Sequence, residues 1–350
     1  MKPLFFLLFL LAGLGSAAQD SAFRQVLDRW QRNEGFSGTV LLSRGGRLLW
    51  SGSAGHANRE SSAAARSTTP YRIAGLTQPF TAVMILQLKE EGALRLDDTI
   101  GKYLPSYTGP GRNRVTIRQL LTYSSGIPEC GGGSARDIDR ATLALDTFIS
   151  RYCSGPLEFE PGTQARAGNG DYILLGKIVE QATGRTWTDN LERRILRPLR
   201  MNNTGVVDDA KPVARLARPY FYKDSASGYK PDKFHHTGNY YSAGSLYSTA
   251  FDLMRFDAAL FSHQLLRPGT LADMIHGNEK LGNAGQGVWA SSGSNGIALP
   301  YIYGSGAISG SRSNWVHVLK GDVTILVLSN TNRGDLARLS EDLYAVAVPK

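Results

Sequence analysis

The chain has 350 residues, 42% hydrophobic and 20% charged, with 39 Gly, 15 Pro and only two Cys. That is apolar enough to fold and too poor in charge for a disordered chain, and it excludes a collagen or a disulfide-dense scaffold. The net charge is +9, yet no basic run is longer than Arg193-Arg194. The surplus is scattered, so nucleic acid is not an expected partner; an anionic envelope polymer and an ordinary solvated surface explain it equally well.

In chain order, residues 1–18 come first and read as a secretory leader. Met1-Lys2 gives a positive start, Pro3 to Gly15 is almost wholly apolar, and Ser16-Ala17-Ala18 places small residues at a cleavage site. The apolar run falls short of the ~20 residues of a membrane span, and no later stretch reaches that length, so a secreted or periplasmic product with no stable membrane span is expected, with an uncleaved N-terminal anchor as the alternative. Losing Lys2 leaves 38 basic against 30 acidic side chains, a net +8. In an oxidising compartment the two cysteines, Cys130 and Cys153, are expected to pair, contributing roughly 3 kcal/mol, with two separate buried thiols as the alternative.

Phe23, Val26, Leu27 and Trp30 recur at helical spacing and predict an amphipathic helix over 22–31. Two apolar runs around Arg44-Gly45-Gly46-Arg47 predict a hairpin over 38–52. Helices are predicted over 79–91, 116–123, 139–152, 171–183, 187–196 and 250–261. A second hairpin over 313–329, turning at Lys320-Gly321-Asp322, and a helix over 335–346 close the chain. Strands at both ends with helices between predict an α/β (α+β) fold: an antiparallel sheet built from both termini, flanked by helices, with a mainly helical insertion. The expected division is a leader over 1–18 and one domain over 19–350, with sheet parts 19–72 and 285–350 and a helical part 73–284.

Several segments carry a family pattern in order. They are Tyr71 to Ala82, Leu94-Arg95-Leu96-Asp97-Asp98, Tyr103-Leu104-Pro105, Thr116 to Pro128, Pro161-Gly162-Thr163, Tyr172 to Gly176, Ser248-Thr249-Ala250 and Leu328-Ser329-Asn330. From about residue 24 to 348 the chain resembles the serine β-lactamase and penicillin-binding superfamily, in particular its class C-like esterases and D-aminopeptidases. The resemblance implies a β-lactamase/transpeptidase-like fold, no cofactor and no metal.

It also implies three catalytic constellations. In the family, a Ser opening a helix attacks an acyl carbonyl and a Lys one turn later handles its proton. A Tyr-x-Asn segment supplies a phenol and an amide, and a His-x-Gly or Lys-Thr-Gly strand supplies charge and oxyanion donors. Here Gly75 and Gln78 stand at the Ser and Lys positions. Ala167 replaces the phenol, leaving Asn169 either to hold a ligand amide or to cap the following helix. Gly304, or Ser305 in a shifted alignment, stands in place of the cation, with Gly306 retained. Thr77 reads as a helix N-cap, with a displaced nucleophile as the alternative. Losing a serine nucleophile costs on the order of a millionfold in turnover, so no residue is assigned a catalytic role.

The expectation is a catalytically inactive homologue that binds a cell-wall peptide or another small acyl or peptide ligand through Thr77, Asn169, Ser305 and Gly306. The alternatives are an active hydrolase with a relocated nucleophile at Thr77 or Ser305, and a structural or regulatory interaction protein whose pocket is filled by side chains. Asp232, His235 and His236 lack metal-ligand spacing, and Gly131-Gly132-Gly133 reads as a linker. Tyr240, Tyr241, Trp289, Tyr301 and Tyr303 either line a groove or pack.

Overall fold

The computed structural model describes residues 4–130, 141–208, 210–233, 235–294, 296–308 and 310–348. The Gly131-Gly132-Gly133 linker and the first residues of the helix expected over 139–152 lie outside them. The chain opens with α1 (Leu4–Glu34) and a hairpin of β1 (Gly38–Arg44) and β2 (Arg47–Ala54). Near its other end come β3 (Trp289–Ser291), β4 (Tyr301–Ile308), β5 (Ser311–Val318) and β6 (Val323–Ser329). These six strands form one antiparallel sheet in the order β3-β4-β5-β6-β1-β2. The two termini therefore do build one sheet, and they join where Gly38 pairs with Ser329 and Arg44 with Val323.

The burial of β6 explains its sequence. Val-Thr-Ile-Leu-Val-Leu-Ser is buried throughout, because a central strand covered on both faces needs no polar alternation. Phe23, Val26, Leu27 and Trp30 of α1, together with Leu339 and Leu343 of the closing helix (Leu336–Ala347), cover one face with Val40, Leu42, Ile325 and Val327. The opposite face, with Leu41, Leu326 and Leu328, joins the larger core of the helical region. Its helices include α2 (Gln78–Glu90), α3 (Ile117–Leu121), α4 (Leu145–Tyr152), α5 (Asn169–Thr183), α6 (Trp187–Leu191) and α7 (Ala250–Phe261). Their ends follow local chemistry. Thr116 and Gln119 form a reciprocal capping box on α3, and Gly184 ends α5 in the left-handed conformation at φ +65°.

Three features differ from the sequence expectation. The first helix is continuous from Leu4 to Glu34, since Ala17-Ala18-Gln19-Asp20-Ser21 contains no breaker between the apolar run and the docked turns. The helix expected over 187–196 is α-helical only to Leu191 and continues as a π turn over Glu192–Leu196. The two cysteines are free thiols, both buried, with Sγ atoms 3.2 Å apart; the expected bridge is not formed. Among the described residues, no helix is long and apolar enough to cross a membrane.

Two buried polar clusters tie the layers. Asp257 of α7 meets the sheet, where its carboxylate accepts from Trp315 Nε1 at 2.7 Å and Thr324 Oγ1 at 2.6 Å and lies 3.1 Å from His317 Nδ1. Phe261 stacks flat on the His317 ring. Asp171 in the first turn of α5 is the second case. It is buried and accepts from Ser125 Oγ, which in turn accepts from Ile127 N at 2.9 Å. Burial holds its carboxyl well above the usual range; Glu129 nearby adds to this, and Ser125 and Arg166 oppose it.

Two outcomes follow. Asp257→Leu removes the acceptor shared by three buried polar groups and should lower unfolding free energy by about 3 kcal/mol in urea titrations. For Asp171, the folded chain binds the proton more tightly than the unfolded chain. Its contribution is complete below the unfolded carboxyl value of about 4 and is lost as pH rises through the folded value. Asp171→Asn, which still accepts from Ser125, should gain in Tm relative to wild type between about pH 4 and pH 8; a flat difference across that range would overturn the assignment.

Candidate active site

The entry to α2 is a 3-10 turn, Ala74–Thr77, held against β4. Ala74 adopts φ +46°, a strained left-handed backbone of the kind found at functional sites. Gln78 N–H bonds back to Gly75 O, so the first orphan donor of α2 is already satisfied, and Pro79 has none to satisfy. Thr77 is therefore not an N-cap: its backbone is helical and its side chain makes no capping bond. It is buried, and its Oγ1 accepts from Leu246 N at 3.2 Å. Both the ligand-binding and the displaced-nucleophile expectations for Thr77 are corrected by this placement.

An open cleft of about 420 Å³ lies beside the turn, walled by Gly75, Gln78, Ala167, Asn169, Ser305 and Gly306. The structure thus gathers most of the residues picked out from sequence into one place. The interaction-only alternative expected this space to be filled by side chains, and it is open. A larger hollow of about 620 Å³, between the Gly45-Gly46 turn and Arg200 and Arg255, contains none of them.

Each catalytic position is occupied differently. A Cβ placed on Gly75 would lie 2.6 Å from the Ser305 carbonyl oxygen and 3.4 Å from Gly306 Cα, so β4 covers the place where a nucleophile's side chain would begin. Gln78 is buried and both ends of its amide are engaged: Oε1 accepts from Tyr123 OH at 3.0 Å and Nε2 donates to Gly168 O at 3.3 Å. Tyr123 is fixed in turn by stacking on Trp289, with ring centroids 5.3 Å apart. Ala167 is exposed on the rim. Gly304 is buried behind the wall, and a Cβ there would meet Leu76 Cδ2 at 2.9 Å, with Trp315 and Pro79 beyond. A cation's stem would enter apolar surroundings. Ser305 is exposed to the cleft.

Asn169 lines the cleft, and its capping alternative is corrected: Gly168 is the N-cap of α5. The Asn169 amide instead donates to Glu129 Oε1 at 2.8 Å and Cys130 O at 3.0 Å, while its backbone N–H donates to Glu129 Oε2 at 3.0 Å. Glu129 faces the cleft, and burial raises its carboxyl affinity for protons against the opposing bonds from Asn169. Across the cleft Arg312 of β5 donates to Asn332 O at 3.3 Å and Gly334 O at 2.6 Å. Sequence reasoning missed both charged residues. Glu129 directly follows the matched Thr116–Pro128 segment, and Arg312 could have been found by counting across the β4–β5 turn, where it pairs with Ala307.

Of the aromatic set, only Tyr303 lines the cleft. Trp289 packs on Tyr123, Tyr241 on Trp187, and Tyr301 lies beside Tyr303. Among the described residues no group of His, Cys, Asp and Glu could hold a metal ion.

Comparison with known proteins shows the family. The β-lactamase family model matches residues 22–348. Penicillin-binding protein 4* of Bacillus subtilis is 32% identical over 247 residues, covering 66% of this chain and 53% of that protein. Esterase EstB of Burkholderia gladioli is 30% identical over 299 residues, 74% of each chain. The chain thus spans about half the length of the first relative and three quarters of the second. The crystal structure of a penicillin-binding protein from Bacillus halodurans superposes with a TM-score of 0.78 at 25% identity, over 93% of this chain and 98% of that one. D-amino acid amidase from Ochrobactrum anthropi shares the fold with a TM-score of 0.82 at 21% identity, over 94% and 99%. The chain belongs to the β-lactamase family of penicillin-binding-protein-like serine hydrolases.

Proposed function

We propose that this chain is a non-hydrolytic member of its family that binds a peptide or small acyl ligand in the cleft. The observation that carries the proposal is the approach of the Ser305 carbonyl to within 2.6 Å of where a Gly75 Cβ would stand. The nucleophile is missing, and the backbone has closed over its place. Gln78 supports the same conclusion, since a neutral amide tied at both ends cannot serve as the base. A residual of roughly a thousandfold over water can persist in such a site from binding and oxyanion donors, far below a working acylase.

The cleft supports a ligand with both an amine and a carboxylate. Glu129 on one wall suits an ammonium group, and Arg312 on the other suits a carboxylate. A cell-wall peptide has that character and would be met after export of the chain by its N-terminal leader.

Incubation with a fluorescent penicillin, followed by intact-mass measurement, should show no adduct. Chromogenic esters and D-amino-acid amides should turn over at about a millionth of the rate of an intact serine hydrolase. The Gly75→Ser/Gln78→Lys double variant should not recover, because Ser305, Ala167 and Gly304 are unchanged. A covalent adduct on the unmodified protein, or turnover abolished by Ser305→Ala, would overturn the proposal.

A further inference from the structure

Among the described residues, four large apolar side chains are 40% exposed or more: Leu48, Leu49, Phe221 and Leu319. Such residues are ordinary when scattered, but three of these four meet at one end of the sheet. Leu48 and Leu49 follow the turn between β1 and β2, and Leu319 opens the turn between β5 and β6. The two turns touch, since Gly45 N donates to Asp322 O at 2.9 Å. Because β5, β6, β1 and β2 are neighbours in that order, Leu319 lies three strand spacings, about 14 Å, from Leu48.

The exposure of two consecutive leucines has a local cause. Strand alternation would turn one of them inward. Here the register shifts between Leu42 and Ser43: Ser43 pairs with Leu48 and Leu42 with Trp50, which leaves Leu49 as the extra residue of a bulge. Trp50 is buried, and both leucines face solvent. A bulge alone would blunt this edge strand against pairing; leucine at both positions adds apolar surface that the fold does not use.

Cations rim the leucines. Arg44, Arg47 and Lys320 are exposed. Arg44 donates to Ala347 O at 3.2 Å, and among the described residues no acid pairs with any of the three. Asp322, in the second turn, has Oδ1 3.6 Å from Nε2 of buried His317. The N-terminal segment arrives at the same place: Gln19 Nε2 donates to Val346 O at 3.1 Å, next to the residue that holds Arg44, and Asp20 Oδ1 accepts from Trp50 Nε1 at 2.7 Å. The apolar run before Gln19 therefore joins the fold at this end.

We infer that this end of the sheet is a docking surface for an anionic lipid bilayer, with Leu48, Leu49 and Leu319 entering the interface and Arg44, Arg47 and Lys320 meeting the headgroups. Apolar tips ringed by cations on long stems suit the boundary between acyl chains and negative headgroups. The cleft is left free, because Arg312 on its wall begins β5 whereas Leu319 follows the other end of that strand. The inference is independent of what the cleft binds.

The full chain is titrated with vesicles of phosphatidylglycerol and phosphatidylcholine in equal parts and, separately, of phosphatidylcholine alone, and bound protein is separated by flotation. Binding to the anionic vesicles is expected, weakening as sodium chloride is raised. The apolar N-terminal run is common to every chain compared, so its contribution cancels. The variants Leu48→Ser/Leu49→Ser/Leu319→Ser and Arg47→Gln/Lys320→Gln change only exposed positions. Both should fold, as far-UV circular dichroism checks, and partition about tenfold more weakly. Phe221→Ser should partition as wild type does, since Phe221 adjoins Tyr222, which bonds Asn332 beyond the opposite end of β6. Unchanged partition of either tip variant, or equal binding to the two kinds of vesicle, overturns the inference. Self-association that the leucine variant abolishes, without vesicle binding, assigns the surface to a second copy of the chain and overturns it too.

Discussion

The contact on which the site depends is that of two backbones. Gly75, in the turn entering α2, and Gly306, on β4, pack so closely that neither has room for a side chain. The distance from helix to sheet at the head of the cleft is thus set by main-chain atoms, which cannot rearrange like a flexible side chain. The strained Ala74 belongs to the same contact: its left-handed backbone turns the chain so that Ile73 O can accept from Ser313 Oγ at 2.7 Å.

The fold was legible because its signals are periodic and redundant. The buried run of β6, the docked stripe of α1 and the paired hairpins each point to one sheet made from both ends. The site was legible in part. Gly75, Gln78, Ala167, Ser305 and Gly306 meet as the aligned motifs implied, since each lies in a segment whose flanks fix its position. Thr77 failed because local capping preference cannot register a preceding 3-10 turn that already satisfies the donor. The capping reading of Asn169 failed for a similar reason, as its best partner, Glu129, lies 40 residues away in sequence. Arg312 needed strand register, and Glu129 needed tertiary burial; neither leaves a mark in a linear motif.

The charged walls give the cleft a character of its own. In a working acylase the central polarity is spent on a proton relay between nucleophile and base. Here the proton-transfer positions are neutral, and ionisable groups stand on the rims, at Glu129 and Arg312. On the reading proposed above, that distribution suits holding a charged ligand at its two ends more than activating a bond at its middle. Membership in a hydrolase family fixes the scaffold, whereas the chemistry is decided by the few atoms at its centre.

The pairing of β1 with β6 has a further consequence. Gly38 faces Ser329 at the centre of the sheet, so the strand made among the first waits for one made among the last. Until some 290 intervening residues are available, β1 lacks its neighbour and both cores stay open on one side. Closing so long a loop makes folding slow and late. A chain built this way completes its sheet only once its last strands have been made.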